Sequence, residues 1–580
     1  MGSNTTKIWK TLQPDPALEE EFARSLPLSR TLCRALINRG IVNLAQVERF
    51  LKPDLDDLYD PSLMDGMDKA VARTRQAIEK QEKIMVHGDY DVDGVTSTAL
   101  LIRVLRLLKA DVSWYIPHRV REGYDIGQAG VEAAKERGAT LIITVDCGAS
   151  AVEAVTYAQS IGIDVIVTDH HEIADGIAPA LAVINPRKPG CTYPFKDLAG
   201  VGVAFKFAEA LVRECGFDTA AFRRRFCDLV AIGTVADIVP LLDENRALVK
   251  SGMEELPRTG KQGLKALLNL TGLTGSPITS YALAYVLSPR LNAAGRLDSA
   301  STALELLLTS DGAEAMELAR KLDTQNKERQ AEQERIAKEA VSQIDSRGLH
   351  EKSKVLVLSS QGWHPGIVGI VASKITDQYS RPAILIALDE TGEAGVGSAR
   401  SIPAFNLLEA LMECRHLLER CGGHARAAGL SVIAEKLPEF DAAINLIADG
   451  MLTEEDLMPQ IEIDGEIETD AVTRDLAYEL QLLEPYGHSN REPIFSSSQA
   501  LIMQKTRMGT NGAHLRLKLG TDSGQPVECV AFGWGDRDEA FQVGSSVALC
   551  YNIRINKFNG QETVQAVLRD ARAACDEATG

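Results

Sequence analysis

The sequence predicts an α/β protein of several domains: a parallel, doubly wound sheet, a long connecting helix, a second α/β domain and a C-terminal β-barrel of OB type. Three observations carry this. Short β-branched runs alternate with helical stretches between residues 76 and 310, which is the signature of a parallel sheet. Residues 311–347 are rich in Ala, Glu, Lys, Arg and Gln, with no Pro. Beyond Met451 the chain turns to short alternating runs punctuated by Asn-Gly pairs, the pattern of hairpins.

In chain order, residues 1–75 read as an N-terminal helical segment, with DPALEEEFARSL, SRTLCRALINRG and LAQVERFL as candidates and Gly40 suited to a helix end. Residues 76–310 form the first α/β domain, whose strands are KIMVHGD (83–89), ATLIITVD (139–146) and DVIVTD (164–169). Helical stretches such as TSTALLIRVLRLLK and AVEAVTYAQSIG separate them. Residues 311–347 form one helix of roughly 50 Å at 1.5 Å per residue. Their apolar positions are too sparse for sustained heptads, so a strut is expected in place of a coiled coil. Residues 348–450 form the second α/β domain, with strands KVLVLSS and PAILIAL. In residues 451–575, five strands with turns at Asn511–Gly512 and Asn559–Gly560 suggest a small barrel.

No apolar run approaches the length of a membrane span, and MGSNTTKIWK has no apolar signal core. Its M-G-x-x-x-T string resembles a myristoylation site but is too short to carry weight. Ten cysteines without a C-x-x-C pair point away from a disulfide framework or zinc site and toward a reducing cytoplasm. A net charge of −19 argues against a surface that coats nucleic acid everywhere. The imbalance is uneven, because residues 501–572 hold nine Lys and Arg against seven Asp and Glu.

Three strands of the first domain end in acidic residues. KIMV leads into His87-Gly88-Asp89-Tyr90-Asp91-Val92-Asp93-Gly94, LIITV into Asp146, and VIVT into Asp169-His170-His171. In an open parallel sheet these ends lie along one edge, where ligands bind. Clustered carboxylates repel one another and resist desolvation, so they need cations. Asp with His and no thiolate suits Mn²⁺ or Mg²⁺. A lone strand-end Asp is more often a cap or turn former, but three such ends together make a shared site the better reading.

These segments resemble motifs of the DHH phosphoesterase superfamily: His87-x3-Asp91-x-Asp93-Gly94, Asp146-Cys147-Gly148, Asp169-His170-His171, and GTVADIVPLLDENR with Asp237. Further segments resemble its single-strand-specific exonucleases, which carry DHH, DHHA1 and OB domains. They are CTYPFKDLAGVGV, SPRLNAAGRLDSA, GWHPGIVGIVASK, GSARS and GGHARAAG, in the expected order between about residues 25 and 570. One departure is Asp125 after Arg119–Tyr124, where the family usually has Gly.

The resemblance implies a two-metal phosphodiesterase that degrades single-stranded DNA from the 5′ end in recombination and repair. It implies that His87, Asp91 and Asp146 hold one cation, and that Asp93, Asp146, His170 and Asp237 hold the other. His171 would face the scissile phosphate, and Asp89 would stand behind the ligands. Arg119, Tyr124, Arg296, Ser398, Arg400 and His424 are the implied substrate-binding residues, with Ser398 and Arg400 at a terminal 5′ phosphate. Single-stranded DNA, single-strand binding protein and a RecQ-type helicase are the implied partners of a cytoplasmic monomer. In the barrel, Phe532, Trp534, Tyr551 and Phe558 interleave with Arg516, Lys518, Arg554 and Lys557, as stacking platforms for bases do. Two other readings stay open. A smaller-substrate DHH enzyme would need neither strut nor barrel, and a non-catalytic scaffold would not keep every costly charged residue.

Overall fold

The parallel sheet that carries the acidic motifs is built from β1 (Lys83–Gly88), β2 (Asp111–Tyr115), β3 (Leu141–Val145), β4 (Asp164–Thr168) and β5 (Ala182–Ile184) in a computed structural model. That model describes residues 7–119, 121–173, 176–297, 299–558 and 560–573. The N-terminal M-G-x-x-x-T string and Asn559 of the second Asn-Gly turn lie outside them. The strand order is β2-β1-β3-β4-β5. The topology therefore reverses between β1 and β3, the switch point at which doubly wound folds bind ligands. Both strand ends carry acidic motifs, so the topology itself brings Asp89–Asp93 beside Asp146.

Helices α1 (Val92–Leu107), α2 (Gln128–Glu136), α3 (Val152–Ser160), α4 (Gly200–Glu214) and α5 (Thr219–Ala236) belong to this domain. On one face of the sheet, Met85, Ile142, Val165 and Val167 pack with Val131, Ala134, Val155 and Ala158 of α2 and α3. The strands are apolar on both faces, as expected for a sheet covered by helices.

Helix α6 (Ser288–Leu297) precedes the strut, α7, which spans Gly312–Arg347 as one helix. Asp311 caps it by accepting hydrogen bonds from Ala313 and Glu314 N–H, and Gly348 ends it at φ +62°. Its C-terminal half contributes Ile336, Ala340 and Ile344 to a core shared with Leu356, Leu358, Ile367 and Val371. The last two lie on α8 (Pro365–Tyr379). The second sheet has five strands: β6 (Leu356–Gln361), β7 (Ala383–Leu388), β8 (Ala394–Arg400), β9 (Arg420–Gly423) and β10 (Ala427–Ile433). Their order is β9-β10-β8-β7-β6, with only β6–β7 parallel. The antiparallel half escaped the sequence pattern because Gly and Ala replace β-branched residues there.

Among the described residues, those in 59–239 and 251–459 form one compact unit, and those in 7–58, 240–250 and 460–573 form another. The expected N-terminal segment 1–75 is thus divided, because its helices before Leu58 bury their apolar faces in the second unit. Phe22, Leu32, Leu36, Val47 and Phe50 share a core with Phe495, Leu515, Leu549 and Ala566. The barrel strands are β11 (Gly465–Glu466), β12 (Phe495–Met508), β13 (His514–Leu519), β14 (Val527–Ala531), β15 (Ser546–Phe558) and β16 (Gln561–Ala573). They run β11-β12-β13-β14-β16-β15, and β12 also pairs with β15 to close the ring. Arg246, almost fully buried, ties this unit together. Its guanidinium donates to the carbonyls of Phe50, Leu482, Leu483, Glu484 and Pro485 and stacks 3.9 Å from the Phe50 ring centroid.

Candidate active site

At the end of β1 the chain leaves the sheet at Gly88 and enters α1 through Asp91, whose carboxylate caps the helix by accepting from Gly94 N–H at 3.0 Å. Gly94 has to be glycine, since a Cβ there would lie 2.5 Å from the Asp89 carbonyl. Two residues after Asp91, in the first turn of α1, Asp93 accepts from the N–H groups of Gly200 (2.6 Å) and Val201 (2.9 Å). These are the first residues of α4, so a helix N-terminus faces the carboxylate and favours its charge. A Cβ on Gly200 would collide with Asp146, which gives the AGVGV segment a physical reason.

Asp146 follows β3 with φ +63°, an uncommon conformation for a side chain other than glycine and one associated with functional sites. Its Oδ1 lies 3.2 Å from His170 Nε2, which is 3.5 Å from Asp237 Oδ2 at the end of α5. After β4, Asp169 organises the other two motif residues. It accepts from His170 N–H (2.7 Å), His171 N–H (3.1 Å) and Ala149 N–H (2.9 Å), and its Oδ1 sits 2.8 Å from His171 Nδ1. Tyr124 Oη meets the same His171 nitrogen at 2.8 Å and donates to the Asp146 carbonyl. Asp125, where the family pattern has Gly, takes the left-handed region at φ +81° and holds Ile126 N–H at 2.8 Å.

Ligand-type atoms of Asp89, Asp91 and Asp146 fall within 4.8 Å of one another, as do those of Asp93, His170 and Asp237. Asp146, His170 and His171 form a third such group, which places Asp146 between the other two. Asp89 Oδ1, Asp146 Oδ1 and His170 Nε2 are buried without a hydrogen-bond partner. Orphaned buried acceptors of this kind are costly unless something cationic satisfies them. Burial first, and then the neighbouring carboxylates, pushes Asp89, Asp146 and Asp237 well above the ordinary carboxylate range, and Asp93 to about 7. Burial likewise lowers His170 to about 3, so the ring is neutral and free to ligate. Burial opposes ionisation of Asp169 too, but the hydrogen bond from His171 and the charges of His171 and His170 bring it to about 2. The donor set and its unpaired atoms fit a pair of divalent oxygen- and nitrogen-seeking cations.

One expected ligand, His87, lies outside these groups, although its Nε2 is likewise buried without a hydrogen-bond partner. It is still inside β1, paired with Tyr115 and Thr144, so its side chain stands off the sheet and lies under α2. A Cβ on Gly130 would come within 2.7 Å of its Nε2, and its ring stacks on Tyr115 at 5.4 Å. Asp89, expected behind the ligands, lies past the last strand residue and within one of the groups. The spacing of the motif alone could not distinguish the two.

Most of the expected substrate residues also converge. Arg119 lies 4.9 Å from the Tyr90 ring centroid. Arg296, half-buried at the end of α6, donates to the Gly366 carbonyl at the start of α8, and a Cβ on Gly295 would meet the Tyr90 carbonyl at 2.6 Å. Burial and then the Arg119 charge lower Arg296 to about 9, and the same two causes lower Arg400. The three arginines therefore sense one another near Asp91. Arg400 Nη1 donates to Ser398 Oγ (3.3 Å), and both side chains line the α8 face at Gly369. His424 is exposed in the tight turn between β9 and β10, beside Ala427, which pairs with Arg400. Gly422, Gly429 and Ser398 lie in register across three strands, and a Cβ on either glycine would meet almost nothing. That bare backbone admits a phosphate closely. Sequence reasoning missed Arg329 of α7, which joins the arginine set with its Nε buried and unpartnered.

In the barrel, Tyr551 is core and shares a hydrogen bond with Ser497, whereas Phe532 is 58% exposed against His514. Arg537 stacks over Trp534 at 4.7 Å. Arg554 and Lys557 are tied to Glu492 and Glu562, which reduces the basic face. The Phe558 side chain lies outside the described ones.

A switch-point cluster of Asp and His, a second mixed sheet and a closed barrel define a chain of DHH-type phosphoesterase architecture. The profile of the DHH family, N-terminal domain, matches residues 83–234; those of the DHHA1 domain and the RecJ OB domain match 352–449 and 463–570. The single-stranded-DNA-specific exonuclease RecJ of Bacillus subtilis is 40% identical over 97% of this chain and 70% of its own length. That of Haemophilus influenzae is 35% identical over 93% of this chain and 95% of its own length. The crystal structure of Thermus thermophilus RecJ in complex with Mn²⁺ superposes with a TM-score of 0.83 at 32% identity, covering 97% of this chain and 79% of that one. The chain belongs to the RecJ family.

Proposed function

We propose that this chain is a cation-dependent exonuclease that removes nucleotides from the 5′ end of single-stranded DNA in recombination and repair. The observation that carries this is the gathering of Asp89, Asp91, Asp93, Asp146, His170 and Asp237, with orphaned buried ligand atoms, in the unit that also holds Arg119, Arg296, Ser398 and Arg400. Asp89, Asp91 and Asp146 would hold one divalent cation, and Asp93, His170 and Asp237 a second, with Asp146 shared. Two cations bound there supply a water of lowered pKa and draw charge from the phosphate. Relatives with solved Mn²⁺ and Mg²⁺ complexes support Mn²⁺ or Mg²⁺ as the ions.

The protein's own groups then position the substrate. Asp169 fixes the orientation of His171 through Nδ1. Burial disfavours the imidazolium, but the hydrogen bond and charge of Asp169 raise its pKa. The protonated ring is then a donor toward a phosphate oxygen, and Tyr124 braces it. Direction comes from the second sheet, where Ser398 and Arg400 present a hydroxyl and a guanidinium to a terminal phosphate. Phe532, exposed on the barrel, offers a face on which a base stacks.

The substrate is single-stranded DNA. A single-strand binding protein and a RecQ-type helicase are the partners we propose, for a monomer in the cytoplasm. No helix of the described residues is long and apolar enough to cross a membrane. Digestion of end-labelled single and double strands with Mn²⁺, Mg²⁺ or EDTA tests the reading. Metal-dependent loss of nucleotides from the 5′ end of single strands is expected. Attack from the 3′ end, or cleavage of dinucleotides alone, would overturn it.

A further inference from the structure

A second concentration of positive charge lies far from the arginines just described. A cavity of about 760 Å³ is lined by Arg103, Arg106, Arg224, Arg225, Arg258 and Lys261, with Asp228 and Glu255 as its only acids. Asp228 accepts from Lys261 Nζ at 2.7 Å and from Thr259 Oγ1 at 2.7 Å. Lys261 is thereby satisfied, and the five arginines share the two acids Asp228 and Glu255. Arg103 is held in the wall by the Leu307 carbonyl, to which both Nε and Nη2 donate. Arg106, Arg224, Arg225 and Arg258 are exposed at the rim. None of these five arginines forms an ion pair among the described residues.

In a protein of net charge −19, such a set is not a by-product of a basic surface. Like charges crowded in a concavity are unfavourable without a counter-charge. Burial lowers the Arg103 pKa, the Asp228 charge opposes this, and the neighbouring Arg225 and Arg106 add to the lowering. The volume falls in the range of small-ligand pockets, and Phe226, Leu107 and Leu308 give it apolar wall alongside its donors.

We propose that this cavity binds a small phosphate-rich anion, with a nucleoside 5′-polyphosphate as the ligand class that fits both its charge and its apolar wall. Guanidinium groups bind phosphate oxygens in pairs. Five arginines around one concavity suit several adjacent phosphates better than a single carboxylate. A DNA strand is the less suitable occupant, because none of Arg119, Arg296, Arg329 and Arg400 lines the cavity. The location adds a consequence. Arg103 and Arg106 lie near the C-terminal end of α1, whose N-cap is Asp91, and Arg224 and Arg225 lie in the first half of α5, whose C-cap is Asp237. Both helices span about 20 Å between cavity and metal cluster at 1.5 Å per residue.

The test is equilibrium binding of ATP and of inorganic tripolyphosphate to the full chain in EDTA, which removes cation-bridged binding at the active site. Three proteins are compared: the parent, the rim variant Arg224→Ala/Arg225→Ala, and Arg400→Ala. Both rim arginines are exposed, so folding should persist, and unchanged nuclease activity without nucleotide would confirm it. The rim variant should bind at least roughly tenfold more weakly, the loss expected for one charge-assisted hydrogen bond, and Arg400→Ala should bind like the parent. ATP binding more tightly than tripolyphosphate assigns a nucleoside polyphosphate, and equal binding assigns the polyphosphate alone. Absence of binding, or a loss confined to Arg400→Ala, overturns the proposal. So does a rim variant that loses affinity for a 20-nucleotide single strand while neither small anion binds the parent.

Discussion

Replacing Asp89 by Asn separates a metal ligand from a neighbour of the metal site. The side chain is 4% exposed, and its Oδ1 has no partner. The amide keeps the volume and removes the charge. Deleting one charge from a buried, interacting set costs about 3–5 kcal/mol, which is roughly two to three and a half decades in cation affinity. Without cations the effect should reverse, because burial and the charge of Asp91 both work against ionised Asp89. The metal-free variant should therefore melt above the metal-free parent. His87→Gln serves as the contrast, since His87 lies under α2 and outside the ligand groups. It should lower stability through lost packing against Tyr115 while leaving Mn²⁺ affinity within about tenfold of the parent. Mn²⁺ titration by calorimetry and melting in EDTA read both effects. If Asp89→Asn bound Mn²⁺ nearly as well as the parent while folded His87→Gln lost two decades, the assignment of ligands would be wrong.

Asp146→Ala should abolish nearly all hydrolysis while strand binding and folding persist, as single-turnover cleavage and filter binding would show. In EDTA, the melting temperature should fall as pH rises. Carboxyls with folded pKa values raised above roughly 4 stabilise the protein when protonated and lose that contribution as pH passes the folded value, about 7 for Asp93. Saturating Mn²⁺ should flatten the slope between roughly pH 4 and 8, and an unchanged slope would count against a shared cation site. Arg400→Ala should narrow the rate ratio between 5′-phosphorylated and 5′-hydroxyl strands by about ten- to a hundredfold, measured under single-turnover conditions. Arg246→Met leaves five carbonyls without their donor and should destabilise the barrel unit by about 3–5 kcal/mol, visible in urea unfolding followed by tryptophan fluorescence.

The parallel sheet, the strut and the barrel strands were legible because each has a strong local signal: β-branched runs, an uninterrupted helical composition, and strands set off by turns. The capped ends of the strut at Asp311 and Gly348 follow from residue type alone. The acidic motifs were legible as a group because strand order places their ends at one switch point. The choice between His87 and Asp89 was not, since it depends on where β1 stops, and a shift of one residue there changes which side chain leaves the sheet. The arginine of the strut was hidden for a related reason. Arg329 looks like any surface cation of a charged helix until the fold brings α7 near Arg296. The antiparallel strands β8–β10 carry glycines where packing would usually put Val or Ile, and that bareness belongs to the surface beside Ser398.

The mixed core of the barrel unit has a consequence for biosynthesis. Phe22, Leu32, Leu36 and Phe50 leave the ribosome first, yet the side chains that cover them, from Phe495 to Leu568, are made last. Their apolar faces stay uncovered while more than four hundred residues are translated, when exposed hydrophobic surface is most prone to aggregation. The sheet domain, whose five strands all lie between Lys83 and Ile184, can reach its own core far earlier. Nascent chains stalled near residue 460 should therefore carry a protease-resistant sheet domain and a protease-sensitive N-terminus. A C-terminal truncation at the same point would remove more than the barrel, because it would leave the first fifty residues without the partner they were folded to meet.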